Sequence, residues 1–178
     1  MALFDGYLRD PAAIYRRSFA IIRQEADLAR FSGLMEQVAV RVIHACGMPE
    51  IAGDLAFSPS AAEAGRMALA AGKSILVDAR MVAHGIIRDR LPACNAILCG
   101  LDQAGVAEQA ERLGTTKSAA GVALWGEHLD GAVIAVEHPP ADPEVLLYAL
   151  AIAWYFIALV WFEDEVVAEW VDLGEGRD

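Results

Sequence analysis

Three short runs constrain this chain more than anything else in it: Ser74-Ile75-Leu76-Val77-Asp78, Ala96-Ile97-Leu98-Cys99 and Ala132-Val133-Ile134-Ala135-Val136. Each is apolar without alternation, and stretches of helical character, 106–113 and 118–127, lie between them. A strand that is apolar at every position is buried on both faces, and strands that alternate with helices pair in parallel. The expectation is an α/β fold with a mostly parallel sheet covered on both sides, in which ligands bind beyond the carboxyl ends of the strands.

Helix starts are also legible. Asp10-Pro11 offers an N-cap carboxylate and then a proline where its missing N–H costs nothing. Ile14, Phe19, Ile21, Ile22 and Leu28 supply most of an apolar face behind it. Ser58-Pro59 repeats the device for a helix running through Ala61, Met67 and Leu69 to Gly72. At 178 residues the chain reads as one domain, 1–178, with no internal repeat.

Charge excludes one class of partner. The net charge is −11, with thirteen Lys and Arg against fifteen acids in residues 1–136, and one Arg against ten acids in 137–178. Nucleic acid requires a basic face, and none is apparent. Met1 to Arg9 lacks the pattern of a secretory signal, and Cys46, Cys94 and Cys99 lack zinc-ligand spacing, so a cytoplasmic protein with reduced thiols is expected.

His44 ends the apolar helical run Val40-Arg41-Val42-Ile43-His44-Ala45-Cys46 just before Gly47 and Pro49, which places a side chain able to give or take a proton at the mouth of the fold. His44 and Cys46 alone make no metal site. Ser18 with His44 does not suggest a hydrolase either, since no Gly-x-Ser-x-Gly elbow exists. His128 and His138 read as surface residues.

Several stretches together resemble one family, the precorrin-8X methylmutases of cobalamin biosynthesis. They are Tyr7-Leu8-Arg9-Asp10 with Ile14-Tyr15-Arg16-Arg17-Ser18-Phe19-Ala20-Ile21-Ile22-Arg23, the run around His44, and Phe57-Ser58-Pro59. Asp78-Ala79-Arg80-Met81-Val82-Ala83-His84-Gly85, Arg90-Leu91-Pro92 with Asn95, and Gly114-Thr115-Thr116-Lys117-Ser118-Ala119-Ala120 before Trp125 follow in order. The resemblance implies a flavodoxin-like three-layer α/β/α sandwich, a homodimer, and an isomerase without organic cofactor or metal. Its reaction moves a methyl group from C-11 to C-12 of a corrin precursor to give hydrogenobyrinic acid or its cobalt form. His44 matches the family's proton donor.

The chemistry is consistent with that role. A methyl migration on a conjugated macrocycle has no leaving group and needs no nucleophile, so one general acid suffices and a pocket must hold the ring in its reactive shape. A flat substrate fringed with carboxylates calls for an apolar floor and a basic rim. Arg17 with Tyr15 and Ser18, and Lys117-Ser118 at a helix start, are the candidate rim contacts. Met81, Val82 and Gly85 are the candidate apolar and close-approach contacts, and His84 lies in the same stretch.

This chain also departs from the family pattern. Ile87 stands where a threonine is expected, and Lys117 where an arginine is, which keeps the charge but loses the bidentate fork. After Val136 the family's glycine-containing loops give way to Glu137-His138-Pro139-Pro140-Ala141-Asp142-Pro143-Glu144, so 137–178 reads as divergent. Residues 145–162 are eighteen consecutive apolar positions without flanking Lys or Arg, read as a buried helix and strand or an apolar dimer interface in preference to a membrane span. A corrinoid-binding homologue without turnover stays open beside the isomerase.

Overall fold

The structure is a computed structural model that describes residues 8–136 and two strands at 155–161 and 166–172. The chain divides into two compact units, the first ending at Leu55 and the second starting at Ala56.

The first unit is a helical pair. Helix α1 (Pro11–Glu25) starts as the sequence predicts: both Asp10 carboxylate oxygens accept backbone N–H groups, from Ala12 at 3.2 Å and Ala13 at 3.0 Å. Helix α2 (Gly33–Cys46) ends at Gly47, whose φ of 73° is the left-handed conformation that glycine adopts without a Cβ clash, and whose N–H closes on Ile43 O at 2.7 Å. An exposed ion pair, Arg23 Nε to Glu36 Oε1 at 2.7 Å, joins the two helices. Of the expected apolar face of α1, Ile22 is buried, whereas Ile14 and Ile21 remain exposed. They line an open cleft on this unit rather than its core.

The second unit carries the sheet. Strand β1 (Leu55–Phe57) leads to α3 (Ala61–Ala70), β2 (Ile75–Val77), α4 (Arg80–Gly85), β3 (Ile97–Cys99), α5 (Val106–Leu113), α6 (Lys117–Ala123), β4 (Val133–Val136), β5 (Tyr155–Trp161) and β6 (Val166–Asp172). The strand order is β1-β6-β5-β4-β2-β3. Strands β3, β2, β4 and β5 are parallel, with Leu76 paired to both Leu98 and Ile134 and Ile134 paired to Ala158; β6 returns antiparallel to β5. The α/β class with a mostly parallel, helix-flanked sheet is therefore the one the alternating runs predict.

All three residues of β2 are buried, as a central parallel strand requires. Ile75 and Val77 form one cluster with Cys99 and Val133, against which Leu69, Val82 and Ile86 pack. Leu76 and Ile134, pointing to the opposite face by alternation, are wholly inaccessible. Two backbones meet where α6 crosses the turn at Gly100–Asp102: a Cβ on Gly121 would stand 2.7 Å from the carbonyl carbon of Gly100. Asn95 donates to Leu69 O at 2.9 Å and to Lys73 O at 2.8 Å, tying the end of α3 to the loop before β3.

Two expected boundaries shift. Ser58-Pro59 forms a turn, with Ala61 N donating to Ser58 O at 3.2 Å, and α3 begins two residues later behind Ser60. The helix expected over 118–127 stops at Ala123, and Gly126, with φ of 44°, opens a separate 3₁₀ turn. The apolar run 145–162 contributes strand β5 at 155–161, while its first ten residues, Phe162, His138 and the 137–144 loop lie outside the described residues. Among the described residues no helix is long and apolar enough to cross a membrane.

Candidate active site

His44 occupies the last turn of α2, half-buried, and its surroundings come from one face of α1. Tyr15, Ser18 and Phe19 stand three and four residues apart, so a helix brings all three to one side. Ser18 Oγ lies 2.8 Å from His44 Nδ1. The Tyr15 ring tilts at 45° to the imidazole with centroids 5.2 Å apart, and the Phe19 ring meets it edge to face at 84° and 5.2 Å. Nε2 has no hydrogen bond among the described residues.

That arrangement has a chemical consequence. When the imidazole carries both protons, Nδ1–H donates to the Ser18 hydroxyl oxygen, and Nε2–H remains to be given away. In the neutral ring the hydroxyl, which both donates and accepts, takes the role at Nδ1 that the tautomer leaves to it. Ser18 thus engages Nδ1 and leaves Nε2 as the nitrogen open to proton exchange.

Ser18 also lines, with Arg17, an open cleft of about 740 Å³, a volume suited to a large ligand. Leu8, Ile14 and Ile21 supply apolar surface there, and Glu25 a carboxylate. Arg17 is exposed and has no carboxylate partner among the described residues, whereas its neighbour Arg16 reaches Asp10 at 3.6 Å.

The remaining expected contacts belong to the second unit. Met81 is 67% exposed on α4, while Val82, on the same short helix, packs against the core cluster and is half-buried. Gly85 ends α4 with open space where a Cβ would stand, so nothing in the described chain requires glycine there. Lys117 is the first residue of α6 and exposed; Ser118 beside it is half-buried. The Thr116 hydroxyl accepts from Ala119 N at 3.2 Å and so occupies one first-turn donor. His84 and Ile87 are exposed, Ile87 to 57%. No three His, Cys, Asp or Glu side chains converge among the described residues. On α3 the Arg66 hydrogen bond holds the exposed Glu63 carboxyl below its ordinary range, and the same bond raises Arg66.

Two residues around His44 were not singled out in the sequence. Phe19 reads there as part of an apolar helix face, and Arg41 only as one member of the run that ends at His44. Spacing puts Phe19 four residues after Tyr15 and Arg41 three before His44, but spacing within a helix does not say that these two faces meet.

Comparison with known proteins agrees on what this scaffold is. The sequence profile described as CbiC, precorrin-8X methylmutase, matches residues 13–150. A precorrin-8X methylmutase of Pseudomonas aeruginosa is 54% identical over 144 residues, which are 81% of this chain and 69% of that protein. One from Sinorhizobium sp is 50% identical over the same shares. The crystal structure of precorrin-8X methylmutase from Thermus thermophilus superposes with a TM-score of 0.64 at 40% identity, over 76% of this chain and 65% of that one. The chain thus spans about two thirds of the length of these relatives, and it belongs to the precorrin-8X methylmutase family, isomerases of cobalamin biosynthesis.

Proposed function

We propose that this chain moves the methyl group of precorrin-8X from C-11 to C-12, giving hydrogenobyrinic acid or the cobalt-containing equivalent, with His44 as proton donor. The observation that carries the reading is the Ser18–His44 contact, which engages Nδ1 at 2.8 Å and leaves Nε2 as the nitrogen without a partner among the described residues. The C-11–methyl bond breaks as the C-12–methyl bond forms, and the proton lent by His44 is balanced by one lost from the macrocycle. Protonation draws electrons away from the migrating carbon's neighbourhood and lowers the barrier.

Tyr15, Arg17 and Ser18 on α1, Met81, Val82 and Gly85 on α4, and Lys117 and Ser118 on α6 are the proposed substrate contacts. Arg17 and Lys117 supply positive charge for peripheral carboxylates. The match of one family profile across residues 13–150 supports treating the two units as parts of one domain. A homodimer is part of the same reading, supported by the family resemblance of the sequence. A cytoplasmic location is supported by three cysteines that are all unpaired.

The test is spectroscopic. Precorrin-8X is incubated with the protein and with His44→Ala, and conversion is followed by absorbance. Turnover is expected to fall about 10²- to 10⁴-fold in the variant. Conversion that survives the substitution overturns the donor role, and a wild-type protein that binds the product without converting substrate overturns the isomerase reading.

A further inference from the structure

We propose that Phe19 and Arg41 are positioning residues for His44, a role that rests on His44 being the proton donor. A single hydrogen bond at Nδ1 fixes one atom of the imidazole and leaves the ring free to swing about that contact. Direction at Nε2 requires lateral stops. The structure supplies two: the Tyr15 ring on one side and the Phe19 ring on another, each with its centroid 5.2 Å from that of the imidazole. Tyr15 and Phe19 also touch each other, edge to face at 70° and 5.9 Å, so the three rings brace one another. Edge-to-face geometry at these separations is the arrangement that aromatic quadrupoles prefer.

Phe19 in turn has a cap. The guanidinium carbon of Arg41 lies 5.8 Å from the Phe19 centroid, in the range where a cation is attracted to a ring face. Arg41 is exposed and has no carboxylate among the described residues to draw it elsewhere. It sits three residues before His44, so the helix that carries the acid also carries the group that seats its brace. Arg41, Phe19 and His44 form a relay of contacts, guanidinium to phenyl ring and phenyl ring to imidazole.

Loss of aim, with substrate contacts intact, lowers turnover and leaves affinity alone. In the full-length protein, Phe19→Leu is expected to lower kcat about tenfold with KM within about twofold, and Phe19→Tyr, which keeps the ring, to restore most of it. Arg41→Gln is expected to lower kcat about threefold, with Arg41→Lys close to wild type, because an ammonium also binds a ring face. The ¹H NMR signals of the His44 ring, assigned by their loss in His44→Ala, are expected to move in Phe19→Leu as the ring current is withdrawn. Unchanged kcat together with unmoved His44 signals in Phe19→Leu overturns the proposal, as does a rise in KM that accounts for the whole loss. Should Phe19→Leu fail to fold, the exposed Arg41 pair decides it: equal kcat for Gln and Lys overturns the proposal. Failure of the donor reading looks different, since His44→Ala would then retain turnover while the NMR shift in Phe19→Leu stood.

Discussion

Ser18 has two possible duties, and the kinetics of one variant separate them. The sequence places it among substrate contacts; the structure places its hydroxyl on His44 Nδ1 at 2.8 Å. A net hydrogen bond contributes about 1 kcal/mol, so Ser18→Ala is expected to reduce kcat about fivefold with little change in KM. A rise in KM at constant kcat would assign the hydroxyl to substrate instead. Legibility at this scale follows the range of the interaction. Asp10 is readable because an N-cap carboxylate bonds N–H groups two and three residues on. Phe19 and Arg41 are not, because their partners lie on another helix and a phenylalanine near an apolar stripe looks the same whether it fills a core or braces a ring.

Between elements, the closest tolerance is the crossing of α6 over the turn at Gly100–Asp102. With a Cβ on Gly121 at 2.7 Å from Gly100 backbone, no side chain can rotate away to make room. Gly121→Ala is expected to destabilise the protein by about 1–3 kcal/mol, read as a lower urea midpoint at unchanged m-value. An unchanged midpoint would mean that α6 slides outward freely. The parallel strands β2, β3 and β4 were readable because burial on both faces leaves only apolar residues to see. The antiparallel return through β6 was not, since Glu169 and Asp172 interrupt its apolar residues. The start of α3 misled for a physical reason as well: a serine followed by proline is equally a turn, and Pro59 sits in one.

Across the whole molecule, a net charge of −11 faces a substrate that is itself a polyanion. As proposed rim contacts, Arg17 and Lys117 would attract it locally, but the long-range field repels it. Raising salt from about 0.01 to 0.15 M shortens the screening length from about 30 to 8 Å, so the association rate constant for precorrin-8X is expected to rise, opposite to an electrostatically steered enzyme. Stopped-flow binding at the two salt concentrations checks this, and a fall would mean that the local cations outweigh the field. The pairing of α1 with α2 carries one more consequence, in time rather than space. Ser18 and His44 are 26 residues apart, whereas the sheet, although Leu76 finds Leu98 at a similar distance along the chain, has no centre until Leu76 also meets Ile134. Local contacts form ahead of distant ones. The surroundings of His44, the proposed proton donor, are thus expected to assemble early in folding, and a lesion in the sheet is expected to delay the native state without erasing the helical hairpin that holds the imidazole.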